Sequence, residues 1–468
     1  MRVLLVSTYE LGRQPVHIAS PAAALAAAGV GVSSVDLAVE DWDLSLLDDV
    51  GAVGFSVPMH TAMRLAVPVA RELRRQRPGI PIAFYGLYAG VGKDQVLGAV
   101  ADSVFVGEYE PDLVEWALAV GSGSRSVGMS QSTGRSGFHM PARSDLPRHD
   151  KYARLEWMGE ARLAAAVEAS HGCRHRCRHC PIPVVYDGRM RVVGADSVMA
   201  DLDQLASDGI QHVTFGDPDF LNAPRYSMDL LRKAHGAHPA LTFDLTAKVE
   251  HVLAHRALLP EMADLGVLFV VSAFESTDHE TLAILDKNHT AADMSEAVAV
   301  LRSSGIHVRP TWLPFFPWTS PRDVAGIVDF IDGHRLWPAT DPVQLAIRLL
   351  IPEGSLLETH PAVVPHLTGY RSESLTWSWE FEDPTTERLY GELDSIAAEA
   401  SDCGAEADET LQRMRETIGD VAKVDLSPMP SSPPVPRLTE SWFCCAEPTD
   451  RQAATVGLTI GRVPFASA

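Results

Sequence analysis

Short apolar runs of strand type recur along this chain, and most are separated by enough helix-length sequence to bring the chain back parallel to itself. Residues 2–7 (RVLLVS) are the first; "SPAAALAAAGVGVSSVDL" (20–37) follows as a helix, a glycine stop and a second strand. A third run, GAVGFSV (51–57), precedes a helix near 61–76, and PIAFYG (81–86) and SVFVG (103–107) read as two more strands. Strands alternating with helices predict a parallel doubly wound sheet, an α/β fold. Such sheets take ligands at the carboxyl ends of their strands. The alternation lapses over 121–144, "GSGSRSVGMSQSTGRSGFHMPARS", which has no hydrophobic period and reads as a linker. It resumes with strands expected at 163–169, 211–216, 241–247, 267–274, 306–314 and 344–350, six units on one open sheet or partial barrel.

The chain has 468 residues, 46% of them hydrophobic, which is enough for two or three domains with ordinary cores. A net charge of -22 argues against a nucleic-acid-coating protein, since phosphate binding needs clustered Lys and Arg. A small-molecule substrate or a protein partner fits better. Neither a signal peptide nor an 18-residue uncharged apolar stretch is evident, so a soluble, cytoplasmic protein without membrane contact is expected. A polar helical segment is expected over roughly 385–420, followed by "SPMPSSPPVP" (427–436), whose prolines favour an extended spacer. Such a spacer spans roughly 28 Å, enough to carry the tail across a domain face.

Six cysteines serve the whole chain, and five of them crowd into "CRHRCRHC" and "FCCAEP", poor spacing for a disulfide framework. Cys173, Cys177 and Cys180 follow a strand directly, so three thiolates share one loop, close enough to bind a soft-metal cluster. Structural zinc wants four ligands, and His171, His175 or His179 would have to supply the fourth. Ordinary reduced cysteines are the third reading.

The Cys-x-x-x-Cys-x-x-Cys spacing in its strand–loop context resembles the radical S-adenosylmethionine (radical SAM) enzymes over about 161–365. The resemblance implies a 4Fe-4S cluster held by the three cysteines, with one iron open to chelate S-adenosylmethionine, and cleavage of that cofactor to a 5'-deoxyadenosyl radical. It further implies that His179 packs against adenine, the alternative being a surface loop histidine. Gly216, Asp217 and Asp219, in "TFGDPDFLN", stand where relatives hold the cofactor's amine; the alternative is a plain turn with exposed acids. Lys248 and Glu250 end the third strand, and Glu275 and Ser276 the fourth, where relatives keep polar groups near ribose and carboxylate; Lys287 follows. Arg348, inside an apolar run, is expected to need an anionic partner.

Radical SAM enzymes with a doubly wound domain in front of the barrel commonly bind cobalamin there. "GFSVPMHT", "FYGLYAG" and "VFVGEYEPDLVEWA" resemble that domain's loops, with Ser56, Gly86, Ala89 and Gly107 as small residues along which the nucleotide tail would lie. Asp-x-His-x-x-Gly is absent, as is usual in that class; a degenerate domain without cobalamin is the alternative, in part because "YGLYAG" replaces the more usual Gly-Gly pair. The tail "CCAEP" resembles a small radical SAM family that ends in Cys-Cys-Ala-Glu-Pro or Cys-selenocysteine-Ala-Glu-Pro. In that comparison Cys445 stands where relatives carry selenium, so Cys444 and Cys445 are expected to act in catalysis as a soft chelator or redox pair.

The expected layout is an N-terminal doubly wound cobalamin-binding-like domain (1–120), a linker (121–160), a partial (β/α)6 radical SAM barrel (161–365), a helical C-terminal segment (366–425), and a proline-rich spacer with the CCAEP tail (426–468). The expected activity is cobalamin-dependent radical chemistry on a small molecule, namely methylation or carbon–heteroatom bond formation, with an electron donor such as a flavodoxin or ferredoxin as partner. The alternative is a regulatory protein that uses the same cysteines to sense iron, redox state or a metalloid.

Overall fold

The computed structural model describes residues 1–124, 127–134, 137–426, 429–440 and 446–447. Its first sheet takes β1 (Arg2–Ser7), β2 (Gly31–Asp36), β3 (Val50–Ser56), β4 (Ile82–Tyr85), β5 (Ser103–Gly107) and β6 (Gly128–Ser132) in the order β2-β1-β3-β4-β5-β6. Every pair is parallel. The helices Val16–Ala27 and Glu110–Gly121 cover one face through Ile18, Leu25, Leu113 and Trp116, and His60–Gln76 covers the other through Met63, Val67 and Leu73. With both faces covered, the central strands can be apolar throughout, which is why they read as continuous runs. The strand order reverses between β1 and β3, the switch point at which such sheets bind ligands.

β6 corrects the expected linker. Its sequence, GMSQS, is half-exposed in alternation at the sheet edge, so it buries too little to show as an apolar run. The segment after it is also fixed. Arg143, 3% exposed, donates to Asp201 at 2.6 Å, to Gln14 Oε1 at 3.0 Å and to the Ala166 carbonyl at 2.7 Å, joining the two halves of the chain.

The second sheet begins with β7 (Arg154–Trp157) and β8 (Glu160–Val167), an antiparallel pair. A small ladder of β9 (Ser170–Gly172) with β10 (Met190–Val192) frames the cysteine loop. Then β11 (His212–Phe215), β12 (Thr242–Thr246), β13 (Val267–Glu275) and β14 (His307–Trp312) each add outward from β8, all parallel. Because strand order follows chain order, right-handed crossovers put the helices that connect these strands on one face and leave the other open to the first domain. The sixth expected strand is only β15 (Arg348–Leu349), preceded by the 3-10 turn Pro342–Ala346 and joined to β14's end by a Phe315–Arg348 bridge.

Beyond it, β16 (Leu367–Arg371) and β17 (Thr376–Trp379) form a hairpin, and the polar helical segment is two helices, Pro384–Cys403 and Ala407–Ala422, that pack on the barrel core through Leu389, Leu393, Leu411 and Met414. After the proline spacer, β18 (Arg437–Leu438) pairs with β7, and β19 (Ala446–Glu447) pairs with β15. Beyond the proline-rich stretch, Glu440 accepts from Tyr9 of the first domain at 2.7 Å. Among the described residues, no helix is long and apolar enough to cross a membrane.

Candidate active site

The loops after β1, β3, β4 and β5 face the open side of the second sheet, and a cavity of about 300 Å³ lies between them. From the second domain come Cys173, Cys177, Cys180, His179, Gly216, Asp217, Lys248, Glu275 and Lys287. From the first come Glu10, His17, Met59, His60, Leu87, Tyr88 and Gly107. The domains also share core: Val185 and Tyr186, just past the cysteines, pack among the first domain's residues.

The cysteine loop meets the requirements of a cluster site. Cys173 and Cys177 are buried and Cys180 is half-buried, all three at the cavity wall. Asn222 Nδ2 donates to Cys173 Sγ at 3.4 Å. Burial pushes the Cys173 thiol up to about 11 and raises Cys177 as well, so as bare thiols they stay protonated. Iron binding must displace those protons, which is how buried thiols become metal ligands.

Glu275 ends β13 where the register shifts, and its φ of 64° lies in the left-handed region. That unfavourable backbone turns its carboxylate inward to accept from His179 Nε2 and Lys287 Nζ, each at 3.1 Å. Burial would raise this acid, but Lys287 and His179 outweigh it and hold it at about 2. His179 is thereby fixed with Nδ1 free of hydrogen bonds. Ser276 is not part of the wall; its hydroxyl accepts from the Asp278 N–H at 3.1 Å and shapes the turn.

The two aspartates of "GDPDF" divide. Asp217 lines the cavity, accepting from the Ala169 N–H at 2.9 Å and Ser170 Oγ at 2.5 Å, and burial lifts it to about 7. Asp219 is fully buried beneath the loop and caps the Leu221 N–H at 3.0 Å. Lys248 is buried at the wall, its Nζ 3.6 Å from the half-buried Glu250, which itself stands back from the cavity.

In the first domain the expected residues lie one step behind the wall, except Gly107. Ser56, Gly86 and Ala89 are absent from the lining, while their neighbours Pro58, Met59, Leu87 and Tyr88 form it. Gly107 has φ +81°, and a Cβ there would meet the Ser132 carbonyl of β6 at 2.2 Å, so the position demands glycine. Among the described residues, aromatic faces surround Arg348: its guanidinium lies 4.0 Å over Trp379 and 5.1 Å from Tyr390 and donates to the Trp379 carbonyl at 3.0 Å, while Glu447 stands opposite it in the backbone register of β19. Cys444 and Cys445 lie outside the described residues.

Sequence reasoning missed a chain of alternating acids and imidazoles across the domain boundary. Glu10 contacts His17 Nδ1 at 3.1 Å, His17 Nε2 contacts Glu168 at 3.4 Å, Glu168 contacts His171 Nε2 at 3.3 Å, and His171 Nδ1 contacts Glu108 at 3.1 Å. Tyr186 closes it, donating to Glu108 at 2.9 Å. The one sequence signal was His171 beside the cysteines. Burial would lower His17, but Glu168 and Glu10 outweigh it and raise it from 6.5 to about 9. A histidine whose folded pKa is raised gives stability that is full below pH 6.5 and lost as pH rises through 9. The midpoint of thermal unfolding should therefore fall between those values, by on the order of 2 kcal/mol in stability from this group. The fall should be smaller in His17→Gln, as calorimetry at both ends of the range would show.

Comparison with known proteins agrees with this geometry. Residues 167–331 match the Radical SAM superfamily. The chain is similar to the hopanoid C-2 methylase of Rhodopseudomonas palustris (strain TIE-1), 27% identical over 182 residues that cover 37% of this chain and 34% of that protein. It is also similar to the ribosomal protein uS12 methylthiotransferase RimO of Roseobacter denitrificans, 22% identical over 205 residues covering 41% of each. The chain thus spans well under half the length of these curated relatives. Among solved structures, the radical SAM methyltransferase TsrM from Kitasatospora setae superposes with TM-score 0.58 at 18% identity, covering 71% of each chain; it was solved with a tryptophan substrate. The cobalamin-dependent radical enzyme OxsB, solved with aqua-cobalamin, superposes with TM-score 0.63 at 13% identity, covering 85% of this chain and 67% of that one. The chain is therefore an enzyme built on a Radical SAM domain at residues 167–331, whose cofactors are a 4Fe-4S cluster and S-adenosylmethionine, and it has the fold of the cobalamin-dependent radical SAM enzymes.

Proposed function

We propose that this enzyme methylates a small organic molecule, or joins it to a heteroatom, with cobalamin held between its two domains. The observation that carries the reading is the shared cavity, lined on one side by Cys173, Cys177 and Cys180 and on the other by the switch-point loops of a doubly wound domain. A sensor needs the cysteines but has no use for such a chamber. When bound, the cluster supplies an electron to S-adenosylmethionine and cobalamin supplies a transferable methyl group. Around them Asp217, Lys248 and the fixed ring of His179 are the groups we assign to S-adenosylmethionine. Gly107, Met59 and Leu87 would lie against the corrin. The methylase and methyltransferase among the similar proteins favour one-carbon transfer. Visible spectra of protein incubated with hydroxocobalamin and desalted test the first domain: retained corrin absorbance supports the reading, and its loss reduces the domain to a scaffold.

We assign Cys444 and Cys445 to capture of the substrate or of a thiophilic atom such as arsenic or selenium. The support is backbone pairing: Ala446 stands opposite Leu349, and Leu350, the next residue, lines the cavity. Cys445→Ala should leave S-adenosylmethionine cleavage within about twofold of wild type while product formation drops at least about a hundredfold. Unimpaired turnover by that variant would remove the tail from the mechanism.

A further inference from the structure

One donor atom from each of His175, Asp219 and His251 lies within 4.8 Å of the other two. They come from three elements: the loop between Cys173 and Cys177, the turn after β11, and the helix Val249–Ala254 after β12. Asp219 and His251 stand off the cavity wall, so substrate and S-adenosylmethionine do not account for the group.

His175 Nε2 and His251 Nε2 face each other at 3.2 Å. A neutral imidazole has one protonated and one bare nitrogen, so either one ring donates its only proton to the other or a cation lies between them. Three features favour the cation. Asp219, fully buried, has Oδ2 at 2.8 Å from His251 Nδ1 and 3.7 Å from His175 Nε2, yet His251 Nδ1 has no aligned hydrogen bond. Glu250 Oε2, also without an aligned hydrogen bond, lies 3.7 Å from His175 Nδ1, so a second carboxylate backs the other ring. Finally, two donors bound tetrahedrally at about 2.0–2.1 Å from a divalent ion stand about 3.3 Å apart, and the distances from Asp219 Oδ2 to His251 Nδ1, 2.8 Å, and to His175 Nε2, 3.7 Å, bracket that spacing.

We propose that His175, His251 and Asp219 hold one divalent metal ion of zinc type, separate from the cluster, that clamps the cysteine loop to the second and third strands of the Radical SAM domain. Two imidazoles and a carboxylate suit a borderline cation and leave a position for water. The ion bridges the loop carrying Cys173 and Cys177 to two rigid elements and gives the buried Asp219 carboxyl group a cationic partner.

The test is zinc added to anaerobically reconstituted, cluster-loaded protein, followed by chelator-buffered dialysis and elemental analysis of zinc, iron and protein in one sample. The expected result is one zinc per chain with four irons retained, and at least a hundredfold weaker zinc binding in both His251→Gln and His175→Gln. Using two variants on different elements separates loss of a ligand from a local folding defect, and it separates this site from the tail thiols, which neither change touches. No retained zinc, equal binding by the variants, or zinc gained only as iron is lost would each overturn the proposal. Iron is counted separately, so failure of the clamp leaves the cluster and its chemistry untouched.

Discussion

Glu275→Ala should destabilise this protein by about 3–5 kcal/mol, the cost of removing one partner from a buried ion pair. Lys287 and His179 both lose this carboxylate, and each is nearly fully buried. The neighbouring change Ser276→Ala removes only a turn hydrogen bond to the Asp278 N–H and should cost about 1 kcal/mol. Urea unfolding of the two variants side by side separates a carboxylate that organises the site from a strand end that merely carries polar residues. A cost for Glu275→Ala no larger than that for Ser276→Ala would contradict the buried pair.

Gly107→Ala should be the most damaging small substitution in the first domain. The added Cβ would lie 2.2 Å from the Ser132 carbonyl, so β5 and β6 must part, and the φ of +81° adds backbone strain. Together these should cost at least about 3 kcal/mol and abolish cobalamin retention. Gly98 supplies the control, with the same φ of +81° and nothing within 4 Å of its would-be Cβ. Gly98→Ala should lose only the conformational part, about 1 kcal/mol, and keep the corrin spectrum. Equal effects at the two glycines would mean that close approach of the strands is not what position 107 requires.

The parts of this molecule legible in its sequence are those set by local patterns. Continuous apolar runs marked β1, β3, β4 and β5 because both faces of that sheet are covered, and the cysteine spacing marked its loop because three ligands of one cluster must be close in sequence. Glu275 and Lys287 were also legible, twelve residues apart, on a strand end and in the loop after the short helix His279–Ile284 that follows it. β6 was not, because an edge strand of Ser and Gln carries no apolar signal. The sixth barrel strand was overestimated for the opposite reason: "VQLAIRLL" is apolar enough for a strand, but its first half is buried as a 3-10 turn. The interdomain chain from Glu10 to Glu108 was out of reach because the links that join its two local pairs are long-range, His17 to Glu168 and His171 to Glu108, the latter 63 positions apart. The aromatic faces around the half-buried Arg348 were not legible, because Trp379 and Tyr390 come from later elements.

The central claim is that Cys173, Cys177 and Cys180 hold a cluster that activates S-adenosylmethionine in the chamber between the two domains. Its most direct measurement is chromatography of adenosyl products from anaerobically reconstituted, reduced protein. The account predicts a brown protein that converts S-adenosylmethionine to 5'-deoxyadenosine, and loss of both colour and conversion in Cys177→Ala. A colourless protein that binds zinc at these cysteines and leaves S-adenosylmethionine intact would contradict it.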